Sequence, residues 1–351
     1  MSRTTRATAL SLGLAVALIA GIMLSAVIGQ LAVSPTEVVG SLLRAIGIDT
    51  GWTPTDPIIE STLWVVRFPR IVMALVVGAS LAIAGAVMQA IFGNPLAEPG
   101  VVGVSSGAAL GAAAGIVLGG GIGTVGGIGS WGTAALAFGG GLLATLLVYL
   151  VSRSNGRTEV VTLLLTGIAI NAFAGAGLAF LLFAGNAASR EQIVFWQLGS
   201  LNGSRWQEVA IVAGVSVIGL VVALVIAGRL NLLALGERSA RHLGVNVEAL
   251  RIGSIVLVAL LTGAAVAFCG IIAFVGLVVP HIIRMAIGPS HRPLILASAI
   301  GGGALLVIAD LLARTVIAGA DLPIGMLTSL VGGPFFFFLL YRQRKRSGGW
   351  A

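Results

Sequence analysis

The amino-acid sequence predicts an all-α polytopic membrane protein of about ten transmembrane helices, and three observations lead there. First, 58% of the 351 residues are apolar and only 9% are charged, with a mean hydropathy of +1.08. Soluble domains carry about 25% charged residues, so this chain cannot cover a water-facing surface. That excludes a cytosolic enzyme, a secreted module and a disordered chain. Second, long charge-free intervals recur along the sequence. Third, basic residues gather at both ends. The 51 glycines suit membrane helices, which approach one another closely through small residues. A lone cysteine, Cys269, excludes a disulfide framework and any multi-cysteine metal site. The net charge of +8 reads as an orientation signal, not as a nucleic-acid footprint.

A helix crosses the hydrocarbon core with about 20 apolar residues. Charge-free intervals of that kind run from Arg6 to Glu37, Arg70 to Glu98, Glu98 to Arg153, Glu159 to Arg190 and Glu208 to Arg229. They resume from Arg251 to Arg284, Arg292 to Asp310 and Asp321 to Arg342. The interval after Glu98 holds two spans, broken at the glycine run from Gly119 to Gly127. The one after Arg251 has 32 uncharged residues, short for two spans, and parity decides it. Arg3 and Arg6 at one end, and Arg342, Arg344, Lys345 and Arg346 at the other, mark both ends as cytoplasmic. The span count is then even, so 252–268 and 271–287 form two short crossings that turn near Cys269-Gly270. With ten spans, 14 of the 20 basic residues fall on cytoplasmic segments; nine would put one basic end outside. The first apolar stretch is too long for a cleaved signal peptide and is read as a retained helix.

An internal repeat adds direction. Residues 74–85 read ALVVGASLAIAG and 259–270 read ALLTGAAVAFCG, identical at six of twelve positions with an offset of 185. The same offset pairs Pro95 with Pro280 and Gly103 with Gly288. Chance between two Ala/Gly/Leu-rich helices is the bland alternative. Five spans separate the copies, so they cross in opposite directions, the inverted-topology arrangement of many transporters. All of 1–351 then forms one transmembrane domain. Span 1 lies at 7–32, a first repeat at about 71–184, span 6 at about 208–228 and a cytoplasmic segment at 229–251. A second repeat follows at about 252–341, then a basic tail at 342–351.

The sequence also bears on the energy source. The only lysine is Lys345, with no phosphate loop around it, so the chain does not hydrolyse ATP itself. Asp310 and Arg314 are one helical turn apart and read as a local ion pair before a proton site; no chain of acids crosses the membrane. The segment RLNLLALGERSARHLGVNVEALR over 229–251 contains a short amphipathic helix: Leu235, Ser239 and Leu243 recur every four residues beside Arg238, Arg241 and His242. Gly244 closes it. Such a helix either lies on anionic headgroups or docks a cytosolic partner.

Several separated motifs, in order, then carry a resemblance. They are Arg67-Phe68-Pro69-Arg70; GAVMQAIFGNPLAEPGVVGVSSGAALG from Gly85 to Gly111; FWQLGSLNG from Phe195; LALGERSARHLGV from Leu233; FVGLVVPHIIR from Phe274; ADLLAR ending at Arg314; and DLPIGMLTSLVGGPFF from Asp321. Over nearly the whole chain the sequence resembles the permease subunits of type II ABC importers for iron chelates, haem and cobalamin. The resemblance implies a homodimer in the cytoplasmic membrane, two cytosolic ATPase subunits that bind ATP and Mg, and a binding protein outside. It implies no resident cofactor or metal in this chain. By resemblance, Leu235, Gly236, Glu237, Arg238, Ala240, Arg241, Leu243 and Gly244 form the helix that couples to the ATPase. Arg67, Arg70 and Arg314 match arginines that receive acids of the binding protein, and the ten-span topology puts all three on the outer face; snorkelling interfacial arginines are the alternative.

Asn94, Pro95 and Leu96 match one cytoplasmic gate, and Val161 and Thr162 fall where the family has another, preceded by Val160. Gln89, Ser105, Ser106 and Asn171 are candidates to line the pathway, with hydrogen bonding between helices the equal alternative. The motif around Asn94–Ala109 resembles haem and cobalamin permeases, which makes an iron complex, haem first, the expected substrate, with a ferric siderophore or cobalamin as the alternative. His281 and His291 fall near the cytoplasmic end of a span and read as helix-end residues. An ion-coupled carrier and a structural membrane protein are the competing readings.

Overall fold

A computed structural model describes residues 3–119, 129–154, 157–317 and 319–346. The chain begins with α1 (Arg3–Val27), a short α2 (Pro35–Ala45) and α3 (Pro57–Thr62), which runs through a π-turn at Leu63–Arg67 into α4 (Phe68–Phe92). A 3₁₀ turn at Pro99–Val102 leads to α5 (Val104–Leu118), followed by α6 (Gly129–Val151). A two-residue ladder pairs β1 (Arg153–Ser154) with β2 (Arg157–Thr158) ahead of α7 (Val160–Ala184). Next come α8 (Ala187–Leu198), α9 (Trp206–Leu233), the short α10 (Glu237–His242) and α11 (Val247–Cys269). The chain closes with α12 (Val275–Ile287), α13 (His291–Ala313) and α14 (Ile324–Arg346).

Among the described residues, eight helices are long and apolar enough to cross a membrane, and α5 and α12 are shorter apolar helices. Ten apolar helices match the expected count, but the short ones are α5 and α12; the expected short crossing at 252–268 is instead the 23-residue α11, which starts at Val247. The order long, short, long, long runs from α4 to α7 and again from α11 to α14. The expected turn at Cys269-Gly270 is there: α11 ends at Cys269, and Gly270 takes φ 69°. The second crossing starts later than 271, at Val275. At 1.5 Å per residue its 13 residues span about 20 Å, less than the ~30 Å hydrocarbon core. The stretch before it is not helical, which membranes tolerate only where protein covers the backbone; Gly270 and Ile272 are buried. The 185-residue offset does not hold beyond that point. Pro95 sits in a turn whereas Pro280 lies inside α12, and Gly103 precedes α5 whereas Gly288 ends α12.

Hydrogen bonds define two ends of the bundle. At one, Arg314 after α13 reaches Ser25 and Ile28 at the end of α1, Ser200 N–H donates to Cys269 O at 2.8 Å, and Ile324 N–H donates to Gly199 O at 3.1 Å. At the other, the His291 N–H at the start of α13 donates to Asn231 near the end of α9, and Thr158 meets Glu248 at the start of α11. So α4 begins at the end where α11 finishes, and the two run in opposite directions. α1 finishes and α14 begins at the first end, which points both outer helix ends to the same side.

Close packing follows from small residues. A Cβ on Gly78 of α4 would lie 2.2 Å from the Gly302 carbonyl oxygen of α13, and one on Gly85 would lie 1.8 Å from Gly276 O of α12. Backbone touches backbone, so α4 forms the buried centre, with most of its side chains inaccessible. α7, in contrast, buries little: Leu165, Ile168, Phe173, Phe180 and Phe183 are exposed on its surface. Most of the glycine run between α5 and α6, at 120–128, lies outside the described residues, as do residues 347–351 and the side chains of Arg3, Arg6, Arg157, Arg342, Arg344, Lys345 and Arg346.

Candidate functional site

The three arginines matched to docking residues do converge. Arg67, Arg70 and Arg314 line one cavity of about 490 Å³ with Asp321, Asn202 and Gln30, at the end where α4 starts and α13 stops. Each guanidinium is engaged within the protein rather than extended at a rim. Arg67 is 5% exposed and donates to the carbonyls of Ala26, Val27 and Leu31. The last carbonyls of a helix have no partner within it, so Arg67 caps α1. Arg314 caps the same region, donating to Ser25 O and Oγ at 2.6 Å and Ile28 O at 3.1 Å.

Arg70 is the centre of the charge network. Its Nε donates to both oxygens of Asp310, at 2.9 and 3.1 Å, and its Nη1 donates to Asp321 Oδ2 at 2.8 Å. The expected Asp310–Arg314 pair exists at 3.5 Å, but Arg70 is the closer partner of Asp310, 240 residues away in sequence. Three cations against two carboxylates leave the cluster net positive, which suits an acidic partner.

The opposite end carries α10. Gly244 takes φ 84°; its N–H donates to Arg241 O at 3.0 Å, and the Val245 N–H donates to Ala240 O at 3.0 Å. That pair of bonds is a Schellman motif with glycine at the left-handed position. Leu235 and Leu243, 65% and 57% exposed, face outward with Arg238 and Arg241. Ala240 does not join them: it is fully buried in the chain's own core and holds α10 in place. Glu237 pairs with Arg241 at 3.3 Å and with the buried Arg251 at 2.5 Å.

The other expected residues separate into turns and inter-helix contacts. Asn94 Oδ1 accepts from the Leu96 N–H at 3.0 Å and Asn94 O from the Ala97 N–H at 3.1 Å, so Asn94-Pro95-Leu96 is an Asx turn right after Gly93, the left-handed C-cap of α4. Val161 is exposed at the start of α7, and Thr162 donates to Glu159 at 3.1 Å. Gln89 is fully buried and donates to Leu277 O at 3.2 Å, an α4–α12 contact. Ser106 Oγ and Asn171 Oδ1 are 2.6 Å apart, bridging α5 and α7, while Ser105 is partly buried. No cluster of three or more His, Cys, Asp or Glu suited to a metal ion occurs among the described residues. His291 is held by Asn231 at 2.7 Å, a helix-start contact. Arg251 was not among the expected residues: in the sequence it is the last charge of the 229–251 segment, and its partners Glu237 and Thr158 are brought to it by the fold.

Comparison with known proteins gives the family. The family model of the FecCD transport family matches residues 17–342. The hemin transport system permease protein HmuU of Yersinia pestis is 42% identical over 288 residues, covering 82% of this chain and 85% of that protein. The cobalamin import system permease protein BtuC of Halobacterium salinarum is 41% identical over 307 residues, covering 88% and 80%. A solved inward-facing structure of a metal-chelate type ABC transporter superposes with a TM-score of 0.81 at 31% identity, covering 95% of this chain and 98% of that one. With its multi-pass helical fold and a match over most of its length, the chain belongs to the FecCD transport family, the permeases of type II ABC importers.

Proposed function

We propose that two copies of this chain form the membrane path of an importer, with two cytosolic ATPases gripping α10 and an external binding protein seated over the arginine cavity. One observation carries the reading: an outward apolar and basic face on α10 and a net-positive, acid-receptive cavity lie at opposite ends of the same bundle. The chain itself does no chemistry. Leu235 and Leu243 supply apolar contact to the motor, while Arg238 and Arg241 supply charge. Arg70 and Arg314 offer the binding protein's acids a fixed cationic register, with Arg67 shaping the cavity by holding α1. Asn94-Pro95-Leu96 and Val161-Thr162 serve as gates at the α10 end, which is cytoplasmic with both chain ends.

Haem is the substrate we favour, supported by the motif from Asn94 to Ala109 and by similarity to a hemin permease. The similarity to a cobalamin permease is almost equal, so a corrinoid or ferric siderophore is the second reading. Proteoliposomes holding the permease, its ATPase and its binding protein test both. Uptake of haem that depends on internal ATP supports the proposal. Uptake driven by a proton gradient without the ATPase refutes it, and ATP-driven uptake of cobalamin alone replaces the substrate.

A further inference from the structure

We propose that Arg251 is the positioning residue that passes movement of α10 to the start of α7. The inference rests on the reading of α10 as the motor contact. Arg251 lies on α11 and is 4% exposed. Its Nη2 donates to Glu237 Oε1 at 2.5 Å, at the first residue of α10. Its Nη1 donates to Thr158 O at 2.6 Å, two residues before α7 begins. A second clamp fixes the same residue: the Thr158 N–H and Oγ1 donate to Glu248 Oε2 and Oε1 at 3.1 and 2.6 Å. Glu248 is one turn before Arg251 on α11, so one helix face holds both the carbonyl and the amide of Thr158.

This junction differs from the other contacts of α10. Ala240 and Val245 pack into the core, but apolar contact is non-directional and tolerates sliding. The Glu237–Arg241 pair is exposed on both sides and stays within α10. Among the described residues, Arg251 alone joins α10 to another segment through charge-assisted bonds, which are shorter and roughly twice as strong as neutral ones. Its planar guanidinium fixes the angle between the two partners, which a lysine ammonium does not. The Arg251 side chain is 5% exposed and that of Glu237 45%, so a bond that α10 breaks leaves the buried guanidinium without its carboxylate. Displacement of Glu237 therefore acts on Thr158 and through it on Val160, Val161 and Thr162, the opening turn of α7.

The test uses the complete complex of permease, ATPase and binding protein in proteoliposomes, reading substrate taken up per ATP hydrolysed. Arg251→Met and Arg251→Lys are each expected to lower that ratio about fivefold or more, the low end of ordinary inter-site coupling, while the ATPase stays bound. Failure of lysine to restore the ratio separates two-point geometry from mere charge. If Arg251→Met does not assemble, Glu237→Gln and Thr158→Val report the same link from its two ends and are expected to lower the ratio. An unchanged ratio in the assembled variants overturns the relay. Arg238→Ala with Arg241→Ala separates the two ideas: if that variant loses coupling and the Arg251 variants do not, only the relay fails. If all of these variants leave ATPase binding and coupling intact, the reading of α10 fails as well.

Discussion

Asp310 and Asp321 both pair with Arg70, and their different burial sets very different costs for removing them. The Asp310 side chain is 2% exposed and that of Asp321 is 38% exposed. Asp310→Asn keeps the volume but leaves Arg70 and Arg314 short of a buried counter-charge. Breaking a buried ion pair by removing one partner costs about 3–5 kcal/mol. Asp321→Asn removes a partly hydrated charge, a loss of about 0–1 kcal/mol. At about 2 °C per kcal/mol, the low end for large domains, Asp310→Asn is expected to melt about 6–10 °C below the parent and Asp321→Asn within about 2 °C of it. Scanning fluorimetry in a single detergent checks both. Arg70→Met combined with Asp310→Leu removes both members of the closer pair and is expected to recover part of the loss, since apolar residues replace buried ion pairs with little cost, while Arg314 keeps its bonds to Ser25 and Ile28. If Asp310→Asn melts no lower than Asp321→Asn, the burial argument is wrong.

Two further outcomes follow from backbone geometry. Gly78→Ala places a methyl against the Gly302 carbonyl and is expected to destabilise by about 1–3 kcal/mol, whereas Gly214→Ala, which meets nothing within 4 Å, leaves the melting point unchanged. Gly244→Ala forces a side chain into the left-handed conformation, at about 1–2 kcal/mol; loosened closure of α10 is expected to weaken ATPase binding in pull-down titrations while the melting point falls by only about 2–4 °C.

Much of the fold was legible because membrane helices announce themselves by charge-free length and basic flanks. The turn at Cys269-Gly270 followed from parity, and Gly244 marked the closure of α10. That Arg67, Arg70 and Arg314 share one face followed from topology; that they line one cavity did not. Their partners were not legible, since Arg67 meets carbonyls 36–41 residues earlier and Arg70 meets acids 240 and 251 residues later. Backbone carbonyls leave no mark in a sequence. α2 lies outside the apolar spans, yet its start was written in Ser34-Pro35-Thr36-Glu37, a capping box with Glu37 Oε2 accepting from the Ser34 N–H at 2.8 Å. α12 was expected to be short, but its start at Val275 rather than at 271 was hidden, because an apolar run does not say where a helix begins. Gln89 shows the limit for pathway residues: a polar side chain on a membrane helix looks the same whether it faces a channel or, as here, a neighbouring helix.

Sidedness of α10 is the most direct test. Cys269 is the sole cysteine and is buried, so a cysteine introduced by Arg238→Cys reports its own exposure to a membrane-impermeant maleimide, with Gln30→Cys in the arginine cavity as the opposite marker. Labelling is expected at 238 only in inside-out vesicles and at 30 on intact spheroplasts. Labelling of 238 from the outside would place the motor contact where no ATPase can reach it and would contradict the mechanism.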